Sequence, residues 1–426
     1  MRFPIFILLN FASVLLGSCT ATTPFDSLFY RRTLRLDFQL AGDAHSAQAF
    51  YGALRDESQW GGSRSQLIDR TGWGAYRVVM LSAAGDTLYT RGFCTLFQEW
   101  QSTAEASTLA RAFQQSVVMP YPRRPVVVHI EERRADNLFH PILQLSVQPD
   151  TPAIIRDAPV VGQPVEVMIN GDAAACVDVV FVAEGYTAQR QEQFLLDVHR
   201  MSEYLFTMEP FRRHQSRFNV RAVKVVSPDG GTDDPLNHHW VNTPFQSSFN
   251  GLGIDRYLLT EQMFMLRDAV AGVPGDVVVL LVDSPLYGGA GIYNHFVVAT
   301  AHHAQSLPVF VHEMGHALAG LADEYYDSEV SYPDFIDKTK EPWYPNITTL
   351  VDFDCKWKHL LAPSIPVPTP DIPEWRNHVG VFEGAAYSAK GIYRPASDCR
   401  MKNNTAPGFC PVCQQAIEKI INQLTQ

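Results

Sequence analysis

His312, Glu313 and His316 carry the chemistry most readily read from this chain. They fall in the run Pro308-Val309-Phe310-Val311-His312-Glu313-Met314-Gly315-His316-Ala317-Leu318, which has the H-E-x-x-H spacing. On a helix, two histidines four residues apart share one face, separated by about 6 Å along the axis. Both imidazoles can then reach one Zn²⁺ at about 2.0–2.1 Å. Glu313, between them, is placed to take a proton from a metal-bound water. Three ionisable residues in so apolar a stretch would be costly without partners, and a metal supplies one. The pattern reads as a zinc hydrolase site holding one catalytic ion.

Such a site needs a third protein ligand and leaves its fourth position open. Gly320-Leu321-Ala322-Asp323-Glu324-Tyr325-Tyr326 follows the histidines directly. Were the helix to continue, Asp323 would lie about 10 Å farther along its axis, out of reach of the metal. Gly320 can adopt a positive φ, end the helix and turn the chain back. Asp323 is therefore the expected third ligand. Glu324 is a rival with a longer reach, and Asp323 could instead orient a ligand histidine from outside the metal sphere.

The elements that must position these residues are also legible. Ser306 is suited to cap the helix and Pro308 to sit in its first turn. Ahead of it, Val177–Ala183, Phe218–Val226 and Val277–Val282 read as strands, with helices near Gln189–Phe206 and Asp255–Ala271. Gly291–Ala299 reads as an edge strand bordering the cleft, able to hold an extended peptide as an added strand. His295, His302 and His303 lack the spacing of His312 and His316 and read as loop or surface residues. Asp229, Asp233 and Asp234 occupy a Gly-rich loop without EF-hand spacing, so a solvated turn is expected in preference to a Ca²⁺ site. Upstream, Leu34–Leu40 alternates with period two. Tyr76–Leu81, Leu88–Phe93 and Val126–Ile130 read as further strands, which suggests a β-sandwich with a helix near Leu109–Gln115.

H-E-M-G-H followed by G-L-A-D-E-Y resembles the M64 peptidases, the IgA-peptidase family of metzincin-like zinc endopeptidases. The resemblance extends through Val179–Thr187, Glu209-Pro210-Phe211, Phe218-Asn219-Val220, Phe382–Ala385, Gly391–Pro395, Cys399-Arg400-Met401 and Phe409–Cys413. The general metzincin pattern places Gly three residues after the second His and a third His three residues later. This chain has Ala319 and Ala322 there, with Gly320 and Asp323 each displaced by one. The resemblance implies a methionine-containing turn beneath the metal, which Met401 fits as a hydrophobic floor for the histidines. It also implies an α+β, metzincin-like zinc peptidase domain, preceded here by the N-terminal all-β sandwich. The expected divisions are a signal peptide over 1–18, a lipidated tether over 19–28, the sandwich over 29–155, a linker over 156–174 containing Pro159–Pro164, and the peptidase domain over 175–426.

At 426 residues and 46% hydrophobic composition, the chain has room for two cored domains. A formal charge of −11, with no long Lys/Arg run to offset it, argues against nucleic-acid binding. Arg2 precedes apolar residues 5–9 and 11–16, too short a stretch for a stable span but suited to a signal-peptide core. Leu16-Gly17-Ser18-Cys19 resembles a bacterial lipobox. The expectation is an exported bacterial lipoprotein, periplasm-facing or at the cell surface, tethered to the membrane by a lipid on Cys19. A soluble secreted protein is the alternative. Cys94, Cys176, Cys355, Cys399, Cys410 and Cys413 remain, an even count that suits disulfides. A second, structural zinc site at Cys355, Cys399, Cys410 and Cys413 ranks below that reading.

The expected reaction is amide hydrolysis of a protein or peptide substrate, with Glu313 as general base and later proton shuttle to the leaving amine. Tyr393 and Tyr325 are candidates for oxyanion stabilisation. A surface binding or adhesion lipoprotein with a structural or vestigial metal site is the competing class. Retention of Glu313 argues against it, because a structural site has no need of that carboxylate. A hydrolase of glycans or esters is disfavoured by the family resemblance alone. The resemblance points to immunoglobulin A as a substrate, but no specificity pocket is legible.

Overall fold

Alternating apolar residues build the N-terminal part of the chain, up to Ile155, into two packed sheets. The computed structural model describes residues 24–156, 161–326 and 336–426. The signal-peptide core, the lipobox and Pro159-Val160 lie outside the described residues. A short helix α1 (Pro24–Leu28) leads into β1 (Phe29–Asp43) and β2 (Ser46–Glu57). Next come β3 (Tyr76–Ser82), β4 (Thr87–Phe93) and helix α2 (Leu96–Gln101). Strands β5 (Arg111–Pro122), β6 (Val126–Arg133), β7 (Phe139–Val147) and β8 (Ile154–Ile155) complete the domain. The sheets have the orders β5-β1-β2-β8 and β4-β3-β6-β7. Leu34, Leu36, Phe38 and Leu40 of β1 are wholly buried in the sandwich core. Their neighbours on the opposite face, Arg35 and Asp37, are buried too, because that face meets the second domain.

The helix expected near Leu109–Gln115 is instead strand β5, which pairs along nearly the whole length of β1. The ladder offered by β1 outweighs the local pattern of so short a segment. The helix lies earlier, at α2, where the Thr95 hydroxyl accepts from the Gln98 amide at 3.2 Å.

The second domain begins inside the segment read as a linker, with β9 (Gln163–Met168) on one sheet edge. Then come β10 (Val177–Glu184), helix α3 (Gln191–Leu205), β11 (Phe218–Lys224), helix α4 (Met263–Ala269) and β12 (Val277–Val282). A hairpin of β13 (Gly289–Ile292) and β14 (Phe296–Thr300) completes a sheet of order β13-β14-β12-β10-β11-β9. The four inner strands run parallel and the two edges antiparallel. Every residue of β10 and β12 is buried, as expected of parallel strands covered on both faces. Helix α5 (Ser306–Ala319) carries the H-E-x-x-H run and packs against β13 and β14. Hairpin β15 (Phe382–Ala385) and β16 (Ser388–Arg394) follows, and helix α6 (Pro411–Thr425) closes the chain against α5.

Two further segments differ from their expected form. The segment expected as one strand over Gly291–Ala299 is a hairpin turning at Asn294, whose φ is 49°, and only its first arm is the sheet edge. The helix expected over Asp255–Ala271 covers only Met263–Ala269, because Leu259 exchanges backbone bonds with Ser248 and holds its stretch extended. Among the described residues, no helix is long and apolar enough to cross a membrane.

Candidate metal centre

Helix α5 presents His312 and His316 on one face, with their side chains 12% and 15% exposed. Gln305 precedes the helix as its cap residue; Ser306 is instead its first residue, and its hydroxyl accepts from the His303 amide at 3.0 Å. The helix stops where expected. Gly320 has φ 58° and ψ 31°, its amide bonds back to the His316 carbonyl at 2.9 Å, and Leu321 bonds to Gly315 at 3.3 Å. A Cβ at Gly320 would lie 2.8 Å from the Trp343 ring, so both conformation and space demand glycine.

That reversal returns Asp323 to the histidines. Its Oδ1 lies 3.0 Å from His312 Nε2 and 3.3 Å from His316 Nε2, and the two Nε2 atoms are 3.0 Å apart. In a tetrahedral zinc site with bonds near 2.0–2.1 Å, donors are separated by about 3.3 Å. The other ring nitrogens are anchored: His312 Nδ1 donates to the Arg400 carbonyl at 2.9 Å and His316 Nδ1 to the Leu321 carbonyl at 2.6 Å. Each Nε2 therefore carries the free lone pair. Asp323 Oδ2 accepts the Tyr387 hydroxyl, whereas buried Oδ1 receives no hydrogen bond. An orphaned carboxylate oxygen facing two lone pairs is a cation's place, and the donor set fits zinc.

The charged groups of the site are strongly linked. Burial works against the charge on Asp323, but the two imidazoles overcome it and hold the carboxyl well below its ordinary range. Burial would depress His316, yet Asp323 and Glu313 push it up to about 9. Glu313 has a ligand oxygen within 4.8 Å of both imidazoles, and burial raises its carboxyl against their pull. Gly289 leaves room for it, since a Cβ there would meet the Glu313 Cγ at 3.2 Å.

Glu324, the rival ligand, points away. Its Oε1 accepts from Asn346 Nδ2 at 2.9 Å and from the Cys413 thiol at 3.0 Å. Asn346 also pairs with the Ala322 amide at 2.7 Å and carbonyl at 2.9 Å, fixing the loop just ahead of the two carboxylates. Met401 lies in a turn under α5, wholly buried, where a Cβ on Gly315 would come within 2.7 Å of its sulfur. Its neighbour Arg400 supplies the carbonyl that orients His312.

Other candidates lie elsewhere. His302 pairs with Asp283 at 2.8 Å. His303 packs edge-on against Tyr287, and His295 lines a separate cleft. Asp229 and Asp233 accept backbone amides, and Asp234 accepts from Asn237, as in an ordinary turn. Tyr325 lines the cavity over the histidines, whereas Tyr393 is not among its walls and pairs with Thr348. The cavity, of about 360 Å³, is also walled by Arg256, Tyr387, Trp343 and, from the first domain, Cys94 and Glu99. Arg256, Tyr387, Asn346 and Glu99 escape the sequence reading, since none stands in the motif.

A mixed sheet with an antiparallel edge strand lies beside a helix bearing two imidazoles. A returning carboxylate and a buried methionine turn complete the arrangement. The match to family models is as specific: one described as IgA peptidase M64 matches residues 165–376 and 371–421, and one described as the peptidase M64 N-terminus matches 24–144. The chain belongs to the M64 peptidase family. No curated protein matches the chain.

Proposed function

We propose that the protein is an exported zinc-dependent endopeptidase hydrolysing peptide bonds of an extracellular protein or peptide. The convergence of His312 Nε2, His316 Nε2 and Asp323 Oδ1, the last buried without a donor, carries the reading. These three residues would hold a zinc ion, which would supply a Lewis acid for the scissile carbonyl and for the attacking water. Glu313 takes the proton of the attacking water and delivers it to the leaving amine. Its raised affinity for protons suits that shuttle. Tyr387 holds Asp323 in its orientation, and Tyr325, hydrogen-bonded to Arg256, offers a hydroxyl to the carbonyl oxygen. Edge strand β13 gives an extended substrate a place to pair beyond Gly289, where Tyr257 already bridges. Export and anchoring through Cys19 are supported by the apolar N-terminal residues and the Leu16–Cys19 motif.

The test separates catalysis from binding. Glu313→Gln should keep its metal and fold while losing cleavage of internal bonds in a fluorogenic peptide library by about 10²–10⁴-fold. Undiminished cleavage by the metal-loaded variant would remove Glu313 from the reaction.

A further inference from the structure

We propose that Glu324, Cys399, Cys410 and Cys413 form a second, closed zinc site that braces the floor of the catalytic centre. The donor atoms of these four side chains all lie within 4.8 Å of one another. They are 0%, 1%, 6% and 0% exposed, respectively, and none of them lines the cavity over the histidines. Cys399 Sγ and Cys413 Sγ are 3.8 Å apart. Two thiolates on a tetrahedral zinc with bonds of about 2.3 Å are separated by about 3.8 Å. Cys413 Sγ lies 3.0 Å from Glu324 Oε1, while Glu324 Oε2 is buried without any partner. Cys355, expected as the fourth member of such a site, is exposed and bonded to the Asp352 carbonyl; Glu324 takes its place.

Two ordinary readings account for less. Three thiols can fill a core as small hydrophobes, but a carboxylate sealed among them with one bare oxygen is costly. A disulfide joins two sulfurs, and it leaves the third thiol and Glu324 Oε2 unanswered. Zinc answers all four: it displaces the thiol protons to solvent, without any change of oxidation state, and takes the carboxylate as its oxygen ligand. Cys410 caps α6 and Cys413 follows in its first turn, where the helix dipole favours thiolates.

The connections give the site its purpose. Asp323 and Glu324 are adjacent in the chain and face opposite sides, one toward each centre. The Glu324 amide bonds to the Met401 carbonyl at 2.9 Å, and Arg400, between Cys399 and Met401, orients His312. Metal at the cysteines therefore fixes both the turn below the histidines and the loop that returns Asp323.

The full chain, purified under reducing conditions and loaded with Zn²⁺, tests this by metal content and zinc X-ray absorption. Two ions per chain are expected. The His312→Ala/His316→Ala variant should keep one, with a sulfur-dominated shell at about 2.3 Å. Cys399→Ser/Cys413→Ser should lose that ion. Should that variant unfold, the unmutated chain still decides: loaded with Co²⁺, it should show thiolate-to-cobalt charge-transfer absorption in the near ultraviolet. A zinc shell of nitrogen and oxygen alone would overturn the proposal, as would mass spectra placing two of these cysteines in a disulfide. A single sulfur-ligated zinc in both wild type and histidine variant would sink the catalytic reading and sustain this one.

Discussion

Asp323 is suited to the proposed ligand role because its two oxygens face different groups. Tyr387 holds Oδ2, which turns Oδ1 toward the imidazoles, while Asn346 fixes the peptide on either side of Ala322. The tyrosine comes from the tip of the β15–β16 hairpin, where Ala386 and Tyr387 have φ 47° and 63°. The same tip bonds through the Ala386 and Tyr387 amides to the carbonyls of Asp323 and Tyr325, at 3.0 and 3.1 Å. Two consecutive left-handed non-glycine residues store strain, which the docking contacts maintain beside the candidate metal centre. Tyr387→Phe should lower zinc affinity or peptide hydrolysis by about 10–100-fold, as removal of a ligand's outer partner does. Metal titration with a competing chelator measures it, and an unchanged affinity together with full activity would refute the orienting role. His312, Glu313 and His316 were legible because one helix turn spaces them covalently. The return of Asp323 to the histidines was legible because a glycine stands where the helix must end. Tyr387, 64 residues away from Asp323, was not: its turn lacks the Asn-Gly signature that marks such a hairpin in sequence.

At the level of elements, the metal helix depends on how it stops. Gly320 in the left-handed conformation lets His316 Nδ1 reach the Leu321 carbonyl and sends Asp323 back, with Trp343 packed where a side chain would otherwise stand. Gly320→Ala should cost about 1–2 kcal/mol from backbone conformation alone, with the Trp343 contact adding to it. Thermal unfolding should show a lowered Tm, and zinc affinity should fall in parallel because Asp323, the proposed third ligand, would be displaced. A variant as stable as wild type with full affinity would mean that the loop does not depend on this turn. The buried parallel strands were readable as continuous apolar runs, Val277–Val282 above all. The short segments were not. Residues 109–115 and 255–262 take their conformation from β1 and from Ser248, partners distant in sequence that no local period announces. Strand β9 was hidden in the same way, since its pairing with β11 is settled only once the sheet exists.

On the scale of the whole molecule, the two domains share the cleft instead of merely being joined. Arg35 of the sandwich pairs with Asp268 of α4 at 2.6 Å, the Cys94 amide bonds to the Tyr293 carbonyl at 2.9 Å, and Asn294 Nδ2 bonds to the Gly92 carbonyl at 2.8 Å. These contacts bring the start of α2 to the cavity, where Glu99 accepts the Tyr257 hydroxyl across the domain boundary. Burial pushes the Glu99 carboxyl up to about 7 from an ordinary 4.5, with Tyr257 and His316 pulling the other way. A group whose folded value is raised stabilises the fold fully below its unfolded value and loses that contribution as pH rises through the folded one. The Glu99 contribution should therefore decline between about pH 4.5 and pH 7 and be gone above it. Glu99→Gln keeps a neutral acceptor for Tyr257 and cannot ionise. Its Tm, compared with wild type in zinc-saturated protein, should gain on going from pH 5 to pH 8. Parallel pH profiles for the two proteins would show that Glu99 is not a buried titrating group at the domain boundary. A gain confined to that interval would tie the stability of the whole assembly to a carboxyl that the first domain places in the wall of the second domain's cleft.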